Sequence, residues 1–171
     1  LHSITSPSPH DLSQTEQVFS DTMTTYSSGH SGVADYVTGL QTRGDLESCL
    51  RKHLEHDSDQ GPLLVALGVD VIGLKQINDT SGFLAGDKHL AAAAAKLIDA
   101  TTHAHLQSRL GGDELAAIFL GAHALQDATV AKEKMLTCPN DPKVRCGIAP
   151  ATAGDTAALL IERLYTAIRK A

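Results

Sequence analysis

The sequence predicts an α/β protein in which helices pack against a central sheet. A nearly continuous apolar run over residues 63–71 is typical of a strand that is buried on both faces. Apolar residues recur at helical spacing in several other segments, and 42% hydrophobic residues in a chain of 171 suffice for a substantial core. At this length we expect one domain, or one domain with an arm.

Residues 1–32 are predicted to form a helical arm or linker, and residues 33–171 to form the domain. Ser8 is suited to cap a helix whose first position is Pro9, and apolar residues follow at helical spacing up to Tyr26. The segment from 27 to 32 is rich in Ser and Gly, which is typical of a flexible joint.

A second helix and the central strand come next. Thr42 is a candidate N-cap because Asp45 follows at the third position of the helix. The leucines of this helix lie on one face: Leu46, Leu50 and Leu54. A polar break at 57–61 separates the helix from the strand. Asp70 lies near the end of that strand, where a buried carboxylate is costly unless it is paired or holds a metal ion.

Two helices are predicted after the strand. The first is short and turn-rich and spans residues 75–82. The second is rich in alanine and runs from Gly86 and Asp87 to about residue 100. Asp87 is a candidate N-cap of this helix, and Asn78 and Asp79 are typical of a turn at a helix end.

The remaining elements are a hairpin, a helix, a strand and a last helix. The hairpin is centred on the turn near residue 111, the helix spans 122–136 and the strand spans 144–149. The last helix has Asp155 or Thr156 as its N-cap. The predicted order is therefore α-α-β-α-α-β-β-α-β-α.

The charge of the chain narrows the classes of partner. A net charge of −6 and a pI near 5.8 argue against general binding to nucleic acids or membrane surfaces, which requires basic patches. No apolar run reaches membrane-spanning length, and we recognise no signal peptide. Because the chain begins with Leu1 rather than Met, we expect it to be a fragment, and an upstream sensor domain is a candidate partner.

Cysteine and histidine usage indicates a reducing compartment and no zinc site. Three cysteines without Cys-x-x-Cys spacing are interpreted as free thiols, which favours the cytoplasm, for the chain alone or as the cytoplasmic part of a larger protein. His103 and His105 form the close histidine pair, but further ligands are not expected within reach, so we interpret them as the entrance to a strand.

Acidic residues at the hairpin turn and at the strand end predict a site for phosphate chemistry. Gly111 and Gly112 leave the turn bare and tolerate positive φ, and Asp113 and Glu114 follow directly. These carboxylates and that of Asp70 come from different strands and can meet at one edge of the sheet. Converging carboxylates repel one another unless Mg²⁺ lies between them, as in two-metal phosphoryl transfer. The alternative is a plain hairpin turn with solvated acidic residues.

This turn resembles the signature of GGDEF domains, the diguanylate cyclases, with Leu115 in place of the last Phe. The resemblance covers about residues 35–168. Further segments match the family's motifs in order: Asp35-x-x-Thr38-Gly39-Leu40-x-x-Arg43, Asp70-x-x-x-x-Lys75-x-Ile77-Asn78-Asp79-x-x-Gly82-x-x-x-Gly86-Asp87, and Gly147-Ile148-Ala149 with Leu164-Tyr165.

The resemblance implies a fold like the polymerase palm and the nucleotidyl cyclases, with a central, mostly antiparallel sheet flanked by helices. It also implies that two GTP molecules, one on each protomer of a homodimer, condense to cyclic di-GMP and pyrophosphate. In this family the acidic positions matched by Asp70 and Asp113 hold Mg²⁺ or Mn²⁺ with the carbonyl of Val71, and Glu114 is the essential acid near the attacking 3′-hydroxyl. The positions implied to bind substrate are Asn78 and Asp87 for guanine, and Lys75, Gly73 and Leu74 for the phosphates.

Several positions depart from the family pattern. Ile72 replaces a second Asp, Phe83 replaces a His, and Ile168 stands where the family has a phosphate-binding Lys. Thr102 and His105 occupy the place of the Arg-x-x-Asp product-inhibition site, so that site is expected to be absent. Three hypotheses remain: an active cyclase, a catalytically weak or inactive GTP-binding regulatory module, and a palm-type cyclase for another nucleotide.

Overall fold

A four-stranded antiparallel sheet organises the part of the chain that this computed structural model describes, residues 32–54 and 64–171. The strands are β1 (Leu64–Val71), β2 (Leu106–Arg109), β3 (Glu114–Leu120) and β4 (Val144–Pro150), in the order β2-β3-β1-β4. Strand β1 is paired on both edges and seven of its eight residues are buried. The predicted central strand and mostly antiparallel sheet are therefore confirmed.

Five helices accompany these strands within the described ranges. They are α1 (Arg43–Leu54), α2 (Leu74–Ser81), α3 (Phe83–Ala100), α4 (Ala124–Thr137) and α5 (Ala157–Arg169). None of them has the length and apolar character needed to cross a membrane. The predicted arm falls almost wholly on residues 1–31, and the polar break falls on residues 55–63; both lie outside the described residues and stay predictions.

The starts of two helices follow from local side chains. The backbone N–H of Thr42 donates to Asp45 Oδ2 at 3.0 Å, and the N–H of Asp45 donates to Thr42 Oγ1 at 3.2 Å, which confirms the predicted capping box of α1. At α5 the hydroxyl of Thr156 accepts the N–H of Leu159 at 3.2 Å. Of the two predicted caps, Thr156 is therefore the one observed.

Helix α3 begins earlier than predicted. Gly82 ends α2 and precedes α3 with φ of 85°, a conformation that L side chains rarely adopt, and this glycine lets the second helix begin at Phe83. Asp87 is consequently the fifth residue of α3, so the alternative of Asp87 as an N-cap is wrong.

The sheet has a hydrophobic core on each face. One core contains alternate residues of β1 with buried residues of α3 and α4, and the other contains the intervening residues with α1 and α5. The alternation follows from the period of two along a strand. Both helical layers therefore hold β1 in place.

Helix α5 lies close to the sheet over a pair of glycines. Gly68 and Gly147 are cross-strand partners, and a Cβ on either would come within 2.5 Å of atoms of Ile168. Ile168 is 4% exposed and belongs to the core. The Ile168 side chain therefore packs into the core and is not among the residues lining the cleft, and its correspondence with the family's phosphate-binding Lys stays a prediction.

Helix α1 and the entrance to β2 also meet. The rings of His53 and His105 lie 5.2 Å apart between centroids, and Cys49 places its sulfur within 4.8 Å of a nitrogen of each ring. The expectation that His105 has no further metal-binding atoms within reach is wrong, because the sequence does not show that α1 packs beside this residue.

Candidate active site

The end of β1 and the hairpin turn bring three carboxylates together. Asp70 is the cross-strand partner of Glu114, and the N–H of Val71 donates to the carbonyl of Asp113 at 2.8 Å. Asp70 and Asp113 both line an open cleft of about 860 Å³. The predicted convergence of these residues is therefore present at one edge of the sheet.

The electrostatics of Glu114 reflect this convergence. Burial raises the pKa of Glu114, the negative charges of Asp113 and Asp70 raise it further, and the guanidinium of Arg43 opposes them. A carboxyl group in this environment holds its proton to higher pH than an ordinary Glu. A cation placed among the three groups would relieve their mutual repulsion.

Gly111 of the turn is needed for space rather than for positive φ. Neither Gly111 nor Gly112 has positive φ. A Cβ on Gly111 would overlap the carboxylate of Glu114, whereas a Cβ on Gly112 would meet nothing within 4 Å. Glu114 thus folds back over the bare Cα of Gly111, and Gly112 leaves the other part of the turn open.

Arg109 holds the turn in shape, a role that the sequence analysis missed. Its guanidinium donates to the carbonyls of Gly111 at 3.1 Å and Gly112 at 2.8 Å, and to Asp35 Oδ2 at 3.0 Å. Burial would raise the pKa of Asp35, but hydrogen bonds from Thr38 and Arg109 outweigh it and lower the pKa. The signal was available in Asp35 and Thr38, which belong to the matched opening motif.

Arg145 is a second residue of the cleft that the sequence analysis missed. It lies opposite Asp70 on β4, and its Nη2 and Nε donate to Asp70 Oδ2 at 2.6 and 3.0 Å. Its side chain is 52% exposed, whereas that of Asp70 is 14% exposed. Arg145 lines the same cleft and places a positive charge beside the carboxylates.

The start of α2 forms another wall of the cleft. Gly73 has φ of 86° and directly precedes the helix, whose first residues, Leu74 and Lys75, also line the cleft. Lys75 Nζ donates to Asp79 Oδ2 at 2.6 Å, but the lysine side chain is 89% exposed, so this ion pair is weak and exchangeable. The residues predicted to face phosphates are thus gathered at one wall.

Asn78 on α2 and Asp87 on α3 are not among the residues lining this cleft. A Cβ on Gly86 would overlap Asn78 Oδ1, so the amide rests against the bare backbone of α3 beside Asp87. The structure therefore brings the two predicted guanine-binding positions to the same junction of α2 and α3.

Sequence comparison relates this chain to proteins that are already known. The sequence profile of the family described as "Diguanylate cyclase, GGDEF domain" matches residues 33–171. Diguanylate cyclase TpbB of Pseudomonas aeruginosa strain UCBPP-PA14 is 34% identical over 103 residues. That alignment covers 58% of this chain and 24% of TpbB, and the alignments with seven further curated relatives cover between 10% and 34% of their lengths.

Solved structures show the same fold. The GGDEF domain of TpbB from P. aeruginosa PAO1 has a TM-score of 0.63 and 28% identity, covering 81% of this chain and 90% of that one. The GGDEF domain of DgcB from Caulobacter crescentus, solved with c-di-GMP, has a TM-score of 0.67 and 23% identity, covering 82% and 90%. On the profile match, the fold and the acidic turn, this chain belongs to the GGDEF domain family of diguanylate cyclases.

Proposed function

We propose that this chain is a diguanylate cyclase that condenses two GTP molecules to cyclic di-GMP and pyrophosphate. The observation that carries the proposal is the convergence of Asp70, Asp113 and Glu114 beside a bare turn in a GGDEF domain. A polyphosphate needs compensating positive charge at such an acidic edge, and carboxylate oxygens are suited to supply it through a hard cation.

The donor set fits Mg²⁺ or Mn²⁺, and diguanylate cyclases of this family are generally metal-dependent. Asp70 and Asp113 would hold the ion with the carbonyl of Val71. A bound ion would supply charge stabilisation for the phosphoryl group and the leaving pyrophosphate. Arg145 contacts Asp70 through Oδ2, so this ion pair must loosen or share the carboxylate when a cation binds.

The remaining roles follow from position and charge. Glu114 has a raised pKa, which suits a group that accepts the proton of the attacking 3′-hydroxyl. The N–H groups of Gly73 and Leu74 and the ammonium of Lys75 would contact the phosphates, which is supported by their position along the same cleft as Asp70 and Asp113. Arg145 lines the same cleft and supplies a cation from β4, which we assign to phosphate binding.

Asn78 and Asp87 would select guanine. An amide can donate to the carbonyl of guanine, and a carboxylate can accept from its N–H and NH₂ groups. Adenine presents the opposite pattern and would leave these groups unpaired. GTP is therefore the proposed substrate.

One acidic cluster and one guanine site accommodate one GTP, so two phosphodiester bonds require a second protomer in opposite orientation. We therefore propose a homodimer as the active form. An upstream sensor domain and a cytoplasmic location remain predictions.

The test is to incubate the protein with GTP and Mg²⁺ or Mn²⁺ and to separate the nucleotides by chromatography. We expect cyclic di-GMP at a rate that rises more than linearly with protein concentration, and no product from Glu114→Gln. GTP binding without product at high protein concentration would instead support a GTP-binding regulatory module. Absence of both GTP binding and product would contradict both functions.

A further inference from the structure

Three side chains with metal-binding atoms meet at the end of β2 that lies farther from the acidic turn. The sulfur of Cys49 and one nitrogen each of His53 and His105 all lie within 4.8 Å of one another. Cys49 and His53 are four residues apart and share one face of α1, and His105 directly precedes β2. The cluster therefore joins two elements that are distant in sequence.

The backbone around the cluster is well fixed. The N–H of His105 donates to the carbonyl of Ile118 at 2.7 Å, which anchors this residue to β3. Cys49 is half-buried and packs against the core between α1 and the sheet. Ligands on anchored backbone need only side-chain rotation to converge on an ion.

We propose that Cys49, His53 and His105 form a binding site for a borderline-soft divalent transition metal ion of the Zn²⁺ class. Usual zinc–ligand bond lengths place neighbouring ligand atoms about 3.3–3.6 Å apart in a tetrahedral site. The three atoms are already within 4.8 Å of one another, so each moves by only about 1 Å to reach this arrangement. Water would complete the coordination.

The donor set separates this site from the carboxylates of the cyclase site. One thiolate and two imidazoles favour Zn²⁺, Co²⁺ or Cu²⁺ over Mg²⁺, which prefers oxygen ligands. On binding, the S–H bond of Cys49 breaks, a sulfur–metal bond forms and the proton passes to solvent. Coordination would link α1 to the entrance of β2 and stabilise the folded state.

The test uses Co²⁺ and Zn²⁺ with the full chain. We expect one equivalent of Co²⁺ to give a thiolate charge-transfer absorption, which should disappear when Zn²⁺ displaces the Co²⁺. Cys49→Ser should abolish this absorption, whereas Cys138→Ser, a matched change at another partly exposed cysteine, should retain it. An absorption that is absent, or that survives Cys49→Ser, would overturn the proposal.

A second pair of variants keeps the test independent of packing around Cys49. His105 is exposed, so His105→Gln should leave the core intact and lower the affinity for Zn²⁺ at least about tenfold. His103→Gln, two residues away, should leave it unchanged. Equal Zn²⁺ affinity of wild type and His105→Gln would refute the site, and because Mg²⁺ and GTP are omitted, the result does not depend on cyclase activity.

Discussion

Replacing Gly86 with alanine should weaken guanine selectivity while leaving the fold intact. A Cβ at this position falls well inside 3.0 Å of Asn78 Oδ1, a separation that real Cβ atoms essentially never show. Asn78 is a short side chain at an exposed helix, so it can rotate away from α3 more easily than the backbone can shift. Gly86→Ala therefore removes the Asn78 amide from its position beside Asp87 without deleting it.

Alanine at this position should favour the folded state of the helix but weaken GTP binding. Alanine in place of glycine within a helix stabilises the folded state by roughly 0.5–1 kcal/mol, and this gain offsets the cost of displacing Asn78. Losing one well-placed hydrogen bond to guanine costs about 1.4 kcal/mol, or about tenfold in GTP affinity. ATP makes no such bond, so its affinity should change little.

The assay is calorimetric titration of GTP and ATP into four proteins: wild type, Gly86→Ala, Asn78→Ala and the double variant. We expect Gly86→Ala and Asn78→Ala to weaken GTP binding equally, and the double variant to add no further loss. Gly44→Ala is the matched control, because Gly44 lies in α1 and a Cβ there makes only ordinary contact with Thr42. Wild-type selectivity for GTP over ATP in Gly86→Ala would refute this account of guanine recognition.

Four further outcomes are expected. Arg145→Gln should lower the affinity for GTP in the presence of Mg²⁺ about tenfold in calorimetry, because a charge-assisted phosphate contact is lost; unchanged affinity would remove this residue from the phosphate site. Because the pKa of Glu114 is raised by folding, the folded, metal-free protein binds more protons than the unfolded chain at pH values between the unfolded and the folded pKa. The free energy of unfolding should therefore fall as pH rises through that window. Denaturant titrations in EDTA should show that this pH dependence is reduced in Glu114→Gln. Ile168→Lys should lower the free energy of unfolding by about 3 kcal/mol or more, because it buries a charge in the core, and should not improve GTP binding; an unchanged denaturation midpoint would contradict this. Cyclic di-GMP should not inhibit through the segment of Thr102 and His105, which lacks a guanidinium; micromolar binding that Thr102→Ala abolishes would show otherwise.

The local elements could be predicted from the sequence because their signals are local. The capping residues of α1, the apolar run of β1 and the glycine turn each depend on neighbours within a few positions. The meeting of Asp70 with the acidic turn was also predictable, since both lie at strand ends of one sheet. These features define the fold class and the acidic part of the site.

The contacts that sequence analysis missed are those between separate secondary-structure elements. The pairing of Arg145 with Asp70 depends on the register of β4 against β1, and no local pattern sets that register. The contact of Asn78 with Gly86 depends on how α2 turns back on α3. The burial of Ile168 follows from Gly68 and Gly147, which lie beneath α5. These two glycines are neighbours only because β1 and β4 pair in this register.

Strand β1 carries Asp70 and helix α2 carries Asn78, and these two elements are packed differently. Their backbone amide hydrogens should therefore exchange with solvent by different routes. Strand β1 is hydrogen-bonded on both edges and covered on both faces, whereas α2 contributes no buried residue. Amide hydrogens of β1 should exchange with deuterium through global unfolding, and those of α2 through local opening. GTP binding stabilises the folded state, so it should slow exchange in β1 by a factor of about one plus the ratio of the free GTP concentration to Kd. It should also slow exchange in α2 by suppressing the local opening of that helix, so part of the contact energy with guanine is used to order the helix that carries Asn78.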